Sequence, residues 1–181
     1  MTALPEGLVP ATYEIDPSHS QASFSVRHAG ISKVRGTVPI NSGKIVVGED
    51  VESSTVTAEL DASGISTGDA NRDGHLQSAD FFSTETNPTW TFTTTSVKAG
   101  EDFAVTGDLT IAGVTKPVEL TVDYTGSAVD AFGNPRAAFE GTTTISRKEW
   151  GITWNAALEA GGVLVGDKVT ISLDISAIKQ A

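Results

Sequence analysis

The chain contains no cysteine among its 181 residues. Disulfide scaffolds, thiolate metal sites and cysteine nucleophiles are therefore excluded. Basic residues are scarce too, with 12 Lys and Arg against 23 Asp and Glu, which gives a formal net charge of -11. Since phosphate binding needs a basic stripe, this balance predicts a protein that does not bind nucleic acid.

Long apolar runs are also missing. No stretch approaches the roughly 20 apolar residues that a transmembrane helix requires. The first residues, MTALPEGLVPATYEI, show neither the basic region nor the apolar region of a secretory signal. We therefore expect a cytoplasmic protein that does not span a membrane, or a periplasmic or secreted one if a leader has been removed.

Apolar and polar residues alternate through most of the chain, which is typical of half-buried strands. The clearest run is 22–28, where Ala22, Phe24 and Val26 share one face. Similar runs occupy 34–40, 56–60, 90–94, 103–111, 118–124, 137–145 and 169–175, and a weaker one lies at 43–47. Turn residues such as Ala112-Gly113 separate them. Eight or nine strands at this spacing predict an all-β antiparallel barrel or sandwich.

Three glycines, Gly36, Gly107 and Gly141, fall at inward positions of these strands. Small residues there either ease the coiling of the strands or leave empty volume inside the barrel. Both interpretations stay open from the sequence.

One polar segment, residues 67–82, interrupts the alternation with TGDANRDGHLQSADFF. It predicts a short helix over about 70–78, with Asp69 as its cap and Asp73 in its first turn. A second short turn is expected near 156–160. Everything else in the chain argues against an α/β architecture.

The predicted helix also carries candidate binding groups. Arg72 and His75 are three residues apart and would share a face, and with Asn71 they would suit a phosphate or carbonyl oxygen. An exposed ion pair between Arg72 and Asp73 is the plainer alternative. Near the other end of the chain, Trp150, Ile152 and Trp154 would line or cap a cavity, form a subunit contact or fill the core.

Catalytic and metal chemistry find little support. The only histidines are His19, His28 and His75, and no two have the spacing of ligands on one strand face or helix turn. The G-x-S-x-G turn that carries the nucleophilic serine of many hydrolases is absent as well. A Ser-His-Asp set would therefore have to assemble from residues that are distant in the sequence. The sequence therefore predicts no metal, no cofactor, no catalytic residue and no enzyme activity.

Several ordered motifs resemble the YceI-like, polyisoprenoid-binding family. Residues 13–20, YEIDPSHS, are similar to its opening strand, and 24–30, FSVRHAG, to its F-x-V-x-H-x-G strand end. Residues 72–82, RDGHLQSADFF, resemble its R-D-x-H-L-x-S-x-D-F-F segment, and 107–118, GDLTIAGVTKPV, its G-x-L-T-I-x-G-V-T-K-P-V turn. The resemblance implies an N-terminal extension over 1–12 and one domain over 13–179.

The resemblance implies an extended, lipocalin-like, eight-stranded antiparallel barrel that holds a long isoprenoid or other amphiphilic lipid, for carriage, storage or sequestration. A homodimer is also expected, since some relatives pair. The alternatives are a ligand-free structural or interaction module and, less favoured, a hydrolase acting on a lipid-like substrate.

Four residues are expected near a mouth of the barrel, where they would select the head group: His28, Asn71, Arg72 and His75. The parity of the strands, together with the two aromatic residues that end the polar segment, predicts the side chains that line the tunnel: Phe24, Val26, Val38, Leu60, Phe81, Phe82, Trp90, Phe92, Phe103, Val105, Leu109, Phe139 and Ile171.

Overall fold

The chain folds as an antiparallel β-barrel with one short helix, as seen in a computed structural model that describes residues 1–158 and 162–181. The predicted all-β, eight-stranded barrel is thereby confirmed. The strands are β1 (Ala11–Ile15), β2 (Gln21–His28), β3 (Ser32–Val38), β4 (Ile40–Val47), β5 (Thr55–Asp61), β6 (Thr89–Lys98), β7 (Phe103–Ile111), β8 (Val114–Val129), β9 (Pro135–Ser146) and β10 (Val165–Lys179).

Two of the eight barrel strands are broken in the middle, which is why ten segments are named. β1 and β2 both pair with β10, and a short 3-10 turn at Pro17–His19 separates them. β3 and β4 are separated by Pro39, which has no N–H to give to a ladder. The predicted strand 34–40 therefore spans the break between two segments. The pairing of β1 with β10 closes the sheet.

Antiparallel order places the connections at two opposite ends of the barrel. The helical end carries the β2–β3, β5–β6, β7–β8 and β9–β10 connections. The N-terminal end carries residues 1–10 and the β4–β5, β6–β7 and β8–β9 connections. The tightest connection is Ala112-Gly113 between β7 and β8, where both residues have positive φ, as a type I′ hairpin turn requires.

The polar segment lies between β5 and β6 and forms the helix α1 (Ala70–Gln77). Its cap is as predicted, because Asp69 accepts a hydrogen bond from the Arg72 backbone N–H at 3.0 Å. Just before the helix, Ser66 exchanges two backbone hydrogen bonds with Thr37 of β3. The segment between β5 and β6 therefore lies along the edge of β3 opposite the one that pairs with β2. None of the helices among the described residues has the length and apolar character of a transmembrane helix.

The connection between β9 and β10 covers the helical end. Trp150 is only 2% exposed, and its indole N–H donates to the Leu109 carbonyl at 2.9 Å. Of the roles considered for this tryptophan, core filling is the one that the structure shows. The buried Arg147 donates to the carbonyls of Ile152 and Trp154, and its burial lowers its pKa. The turn expected near 156–160 lies partly outside the described residues, and Ala157 within it bridges Val163.

Candidate functional site

An elongated cavity of about 220 Å³ runs along the inside of the barrel. On β7 alone its wall extends from Phe103 at the N-terminal end to Ile111 at the helical end, a rise of about 26 Å along the strand. The strands contribute inward-facing residues of alternate parity, as the sequence pattern predicts. A cavity of this length and small volume suits a slim, extended molecule.

The wall of the cavity is almost entirely apolar. Its polar members are Ser23, Ser54 and Thr143, and none of the described lining residues carries a charge. The buried indole nitrogen of Trp90, also a wall residue, has no hydrogen-bond partner among the described residues. A wall of this kind offers hydrocarbon contact along its length and few groups that could fix a polar ligand.

The three inward glycines have different uses. A Cβ atom at Gly36 would overlap the ring of Phe24, and one at Gly107 would come within 2.5 Å of the Phe92 ring. These two glycines thus make room for aromatic rings of the neighbouring strands. A Cβ at Gly141 would meet Leu173 at an ordinary 3.4 Å, and Gly141 lies on the cavity wall. Gly141 therefore fits the interpretation that a small residue leaves volume inside the barrel, whereas Gly36 and Gly107 accommodate aromatic rings, a use that the sequence interpretation did not include.

Most of the predicted tunnel residues do lie on the cavity wall. Whether they contact a ligand stays a prediction. The predicted residues on the wall are Phe24, Val38, Leu60, Trp90, Phe92, Phe103, Val105, Leu109, Phe139 and Ile171.

Three predicted tunnel residues, Val26, Phe81 and Phe82, are absent from the wall as far as the described residues define it. Val26 has the inward parity of Phe24 but lies one step nearer the helical end of β2. Phe82 packs edge-on against the wall residue Trp90 with ring centroids 4.8 Å apart. Phe81 is buried beside His75 rather than in the cavity.

The predicted head-group residues also lie outside the wall. Asn71 is exposed on α1. Arg72 turns back on its own segment, where its Nε donates to Thr67 Oγ1 at 2.7 Å and its Nη2 to the Thr67 carbonyl at 3.0 Å. Asp73 accepts from the backbone N–H of Thr67 at 2.8 Å. Thr67 thus bridges the two side chains that the sequence suggested as an ion pair.

His75 lies within an aromatic cluster at the helical end. Its Nε2 is 2.9 Å from Asp80 Oδ2. Its ring packs in T-shaped geometry against Phe81 and Trp154, with ring centroids 5.0 and 4.6 Å apart, respectively. His28 ends β2, opposite Ser32 and Val165. His19 lies in the 3-10 turn between β1 and β2, where its Nδ1 is 2.8 Å from Asp16 Oδ2. No two of these histidines are brought together on the described cavity wall.

The sequence interpretation missed the residues that close the N-terminal end of the cavity. Leu4 and Leu8 line it, although neither belongs to a strand. Ile15, Ile45, Val47 and Val51 complete this end. Periodicity could not find Leu4 and Leu8, but two leucines spaced by four around Pro5 and Gly7 are a signal of a turn that brings both against the core.

A sequence profile for the YceI-like domain matches residues 13–177. The chain belongs to the YceI-like family. Protein YceI of Escherichia coli O17:K52:H18 is 39% identical over 148 residues, which cover 80% of this chain and 78% of the relative. The resemblance of the ordered motifs to this family is therefore confirmed.

Solved structures share the fold of this chain. BcnA of Burkholderia cenocepacia superposes with a TM-score of 0.77 at 19% identity, covering 90% of this chain and 98% of BcnA. A polyisoprenoid binding domain from Saccharophagus degradans, implicated in plant cell wall breakdown, gives a TM-score of 0.68 at 13% identity and covers 94% of this chain and 99% of that domain. At these identities the likeness establishes the fold alone.

Proposed function

We propose that the barrel binds a long-chain isoprenoid or a similar amphiphilic lipid in its cavity, for carriage, storage or sequestration. The observation that carries this proposal is a narrow apolar cavity that extends between the two ends of the barrel. Membership in the YceI-like family supports it, as does the shared fold with a domain named for polyisoprenoid binding.

Hydrocarbon contact supplies enough free energy for useful affinity. The cavity of about 220 Å³ exceeds an apolar cavity of about 150 Å³ that accepts benzene. Burying a methylene contributes about 0.8 kcal/mol, so one five-carbon isoprene unit gives roughly 4 kcal/mol gross. Nanomolar affinity needs about 12 kcal/mol, and ordering the chain subtracts from the gross value. A few buried units therefore suffice, and the head group need not dominate.

Binding is favoured over catalysis by the composition of the wall. Its described residues include no titratable side chain, and the three histidines lie elsewhere. An acid, a base and a nucleophile would have to converge on one point of the cavity, and the described residues provide no such point. The open volume likewise favours binding over a ligand-free structural module, whose interior side chains would fill the barrel.

Two measurements test the proposal. Mass spectrometry of an organic extract of the purified protein should find a co-purified lipid, and the stripped protein should take up prenyl alcohols saturably. Substitution Gly141→Leu places a side chain in the cavity where a Cβ fits, and should weaken uptake by more than about tenfold with the fold retained.

The matched control is Thr142→Leu, which adds the same side chain to the exposed face of the same strand. It should bind prenyl alcohols like the wild type. Uptake that is unchanged by Gly141→Leu, or lost equally in both variants, would place the lipid outside the cavity and contradict the proposal.

A further inference from the structure

The N-terminal end of the cavity is closed by a segment that takes no part in the barrel sheet. Strand pairing begins at Ala11, yet Leu4 and Leu8 both line the cavity and Leu8 is buried. A turn in which the Leu8 N–H donates to the Pro5 carbonyl at 3.1 Å brings the two leucines together. The hydrocarbon wall therefore ends on side chains that the strand ladder does not hold.

Few polar contacts fasten this segment to the barrel. The Thr2 hydroxyl donates to Glu52 Oε1 at 2.5 Å and the Thr2 backbone N–H to Glu52 Oε2 at 2.9 Å. The Val51 N–H donates to the Thr2 carbonyl at 3.0 Å. Glu52 is exposed, and the bonds from Thr2 lower the pKa of its carboxyl to about 2. Because contacts at an exposed surface are easily exchanged for water, segments held in this way open at low free energy.

The opposite end is fastened differently. There Trp150 is fixed by its bond to Leu109, and Arg147 donates to several backbone carbonyls. A hydrocarbon chain longer than the cavity has to displace one of the two ends. The N-terminal segment is the end with the weaker attachment.

We propose that residues 2–8 form a displaceable floor of the cavity, and that Leu4 and Leu8 set the length of hydrocarbon chain that the closed barrel accepts. This inference rests on the proposed lipid-binding function. A chain that fits above the floor binds with the segment in place. A longer chain pushes Leu4 and Leu8 out of the barrel and loses part of the affinity that its extra carbons provide.

The first test compares dissociation constants for a series of prenyl alcohols from geraniol to solanesol. Substituting both leucines, Leu4→Ala and Leu8→Ala, should move the best-bound length upward by at least one isoprene unit and raise affinity for the longest alcohols by about tenfold. Leu60→Ala is the control, because Leu60 lines the cavity but does not belong to the N-terminal segment. It should change affinity similarly at every length.

The second test locks the floor. A Cβ at Gly7 would lie 3.6 Å from the Cβ of Ser127, within the range of roughly 3.5–4.5 Å found in disulfides. The chain has no other cysteine, so titration of free thiols reports whether the bond in Gly7→Cys/Ser127→Cys has formed. Gly7 has a φ of 88°, which strains any other residue. The oxidised protein is therefore compared with its own reduced form.

The oxidised protein should bind short alcohols like the reduced form but lose affinity for the longest ones. In the wild type, a long alcohol but not geraniol should also speed hydrogen exchange of the Val51 amide, which is bonded to Thr2. If the disulfide does not form, the length profile of the Leu4→Ala/Leu8→Ala variant tests the proposal without it. An identical length profile for the wild type, the leucine variant and any locked form overturns the floor while leaving lipid binding intact. A failure of every variant to bind any prenyl alcohol overturns the proposed function instead.

Discussion

The ring of Phe92 lies across Gly107 on the adjacent strand, where a Cβ atom would approach its Cζ to 2.5 Å. Phe92 is directly opposite Leu109 in the ladder, so Gly107 is its diagonal neighbour. The ring is 7% exposed and forms part of the cavity wall. The width of the cavity at this level therefore depends on the absence of a side chain at position 107.

Gly107→Ala should consequently destabilise the protein. The new methyl group would meet both the Phe92 ring and the Thr93 carbonyl oxygen, the latter at 2.7 Å, and the ring would have to move into the cavity. Overpacking of this kind costs about 1–3 kcal/mol of the free energy of unfolding. Urea denaturation measures it, and prenyl alcohol uptake should weaken in the same variant.

Gly141→Ala is the matched control, because its Cβ would meet Leu173 at 3.4 Å, an ordinary contact. It should be neutral or stabilise by about 0.4–1 kcal/mol through the unfolded chain. Equal losses at both positions would show that strand flexibility, and not the aromatic ring, requires the glycines.

The fold could be predicted because its signals are local. Alternation in runs such as 103–111 fixes which face of a strand is buried, and Asp69 marks the start of α1 by its capping chemistry. The breaks in the barrel strands were less visible. Pro39 lies inside a run whose parity is uninterrupted, so periodicity alone joined the end of β3 to the start of β4.

The site was only partly predictable for a physical reason. Parity tells which face of a strand is inward but not how far along the barrel a residue lies, so it groups Val26 with Phe24 although, of the two, only Phe24 is among the described wall residues. The sequence predicts a head-group contact for Arg72, and no sequence rule shows that its guanidinium also donates to Thr67. Leu4 and Leu8 reach the cavity through tertiary contacts outside any periodic element.

Affinity should depend on the wall far more than on the polar segment. We expect Phe92→Asp to weaken prenyl alcohol binding by more than about a hundredfold, because it buries a charge in a hydrocarbon site. Arg72→Ala should cost less than about tenfold, since its guanidinium is bonded to Thr67 and lies off the wall. Fluorescence titration gives both constants.

Phe92→Asp could also perturb folding, so Val105→Thr serves as a milder wall variant of similar shape, and thermal melting follows the fold in each case. Val105 is buried on the cavity wall. Equal losses for Arg72→Ala and Val105→Thr would mean that the head group, and not the chain, dominates recognition.

Acid should remove a stabilising ion network at the N-terminal end. Arg136 donates to Asp16 at 2.9 Å and to Asp130 at 2.7 Å. Hydrogen bonds from Ser18, then Arg136 and His19, hold the pKa of Asp16 well below its usual range despite its burial, and Arg136 is the main cause of a similar lowering of the Asp130 pKa.

Because both pKa values are lower in the folded state, the network stabilises the protein above the usual aspartate pKa of about 3.9. That contribution is lost as the pH falls below it toward the folded values. Asp16→Asn should lower Tm by several degrees at neutral pH, and the difference from the wild type should shrink between about pH 5 and pH 2. Calorimetry across this range measures the Tm difference.

Asp108→Asn, at an exposed site on β7, is the control and should leave Tm nearly unchanged. A Tm difference between Asp16→Asn and the wild type that stays constant with pH would refute the linkage.

Like charges oppose one another across the outer face of the barrel. Glu140 on β9 pairs directly with Asp123 of β8 on one side and Asp174 of β10 on the other, and all three side chains are exposed. Directly opposed like charges destabilise a sheet by roughly 0.2–1 kcal/mol per pair. Glu140→Lys should therefore raise the free energy of unfolding by about 1 kcal/mol at low ionic strength, measured by urea denaturation. Salt should reduce this gain, since it screens exposed charges.

Glu119→Lys is the control. It changes the net charge equally, but its partner in β7 is Thr106, so its effect should stay within about 0.5 kcal/mol. A gain of the same size in both variants would assign the effect to net charge and not to the row of carboxylates.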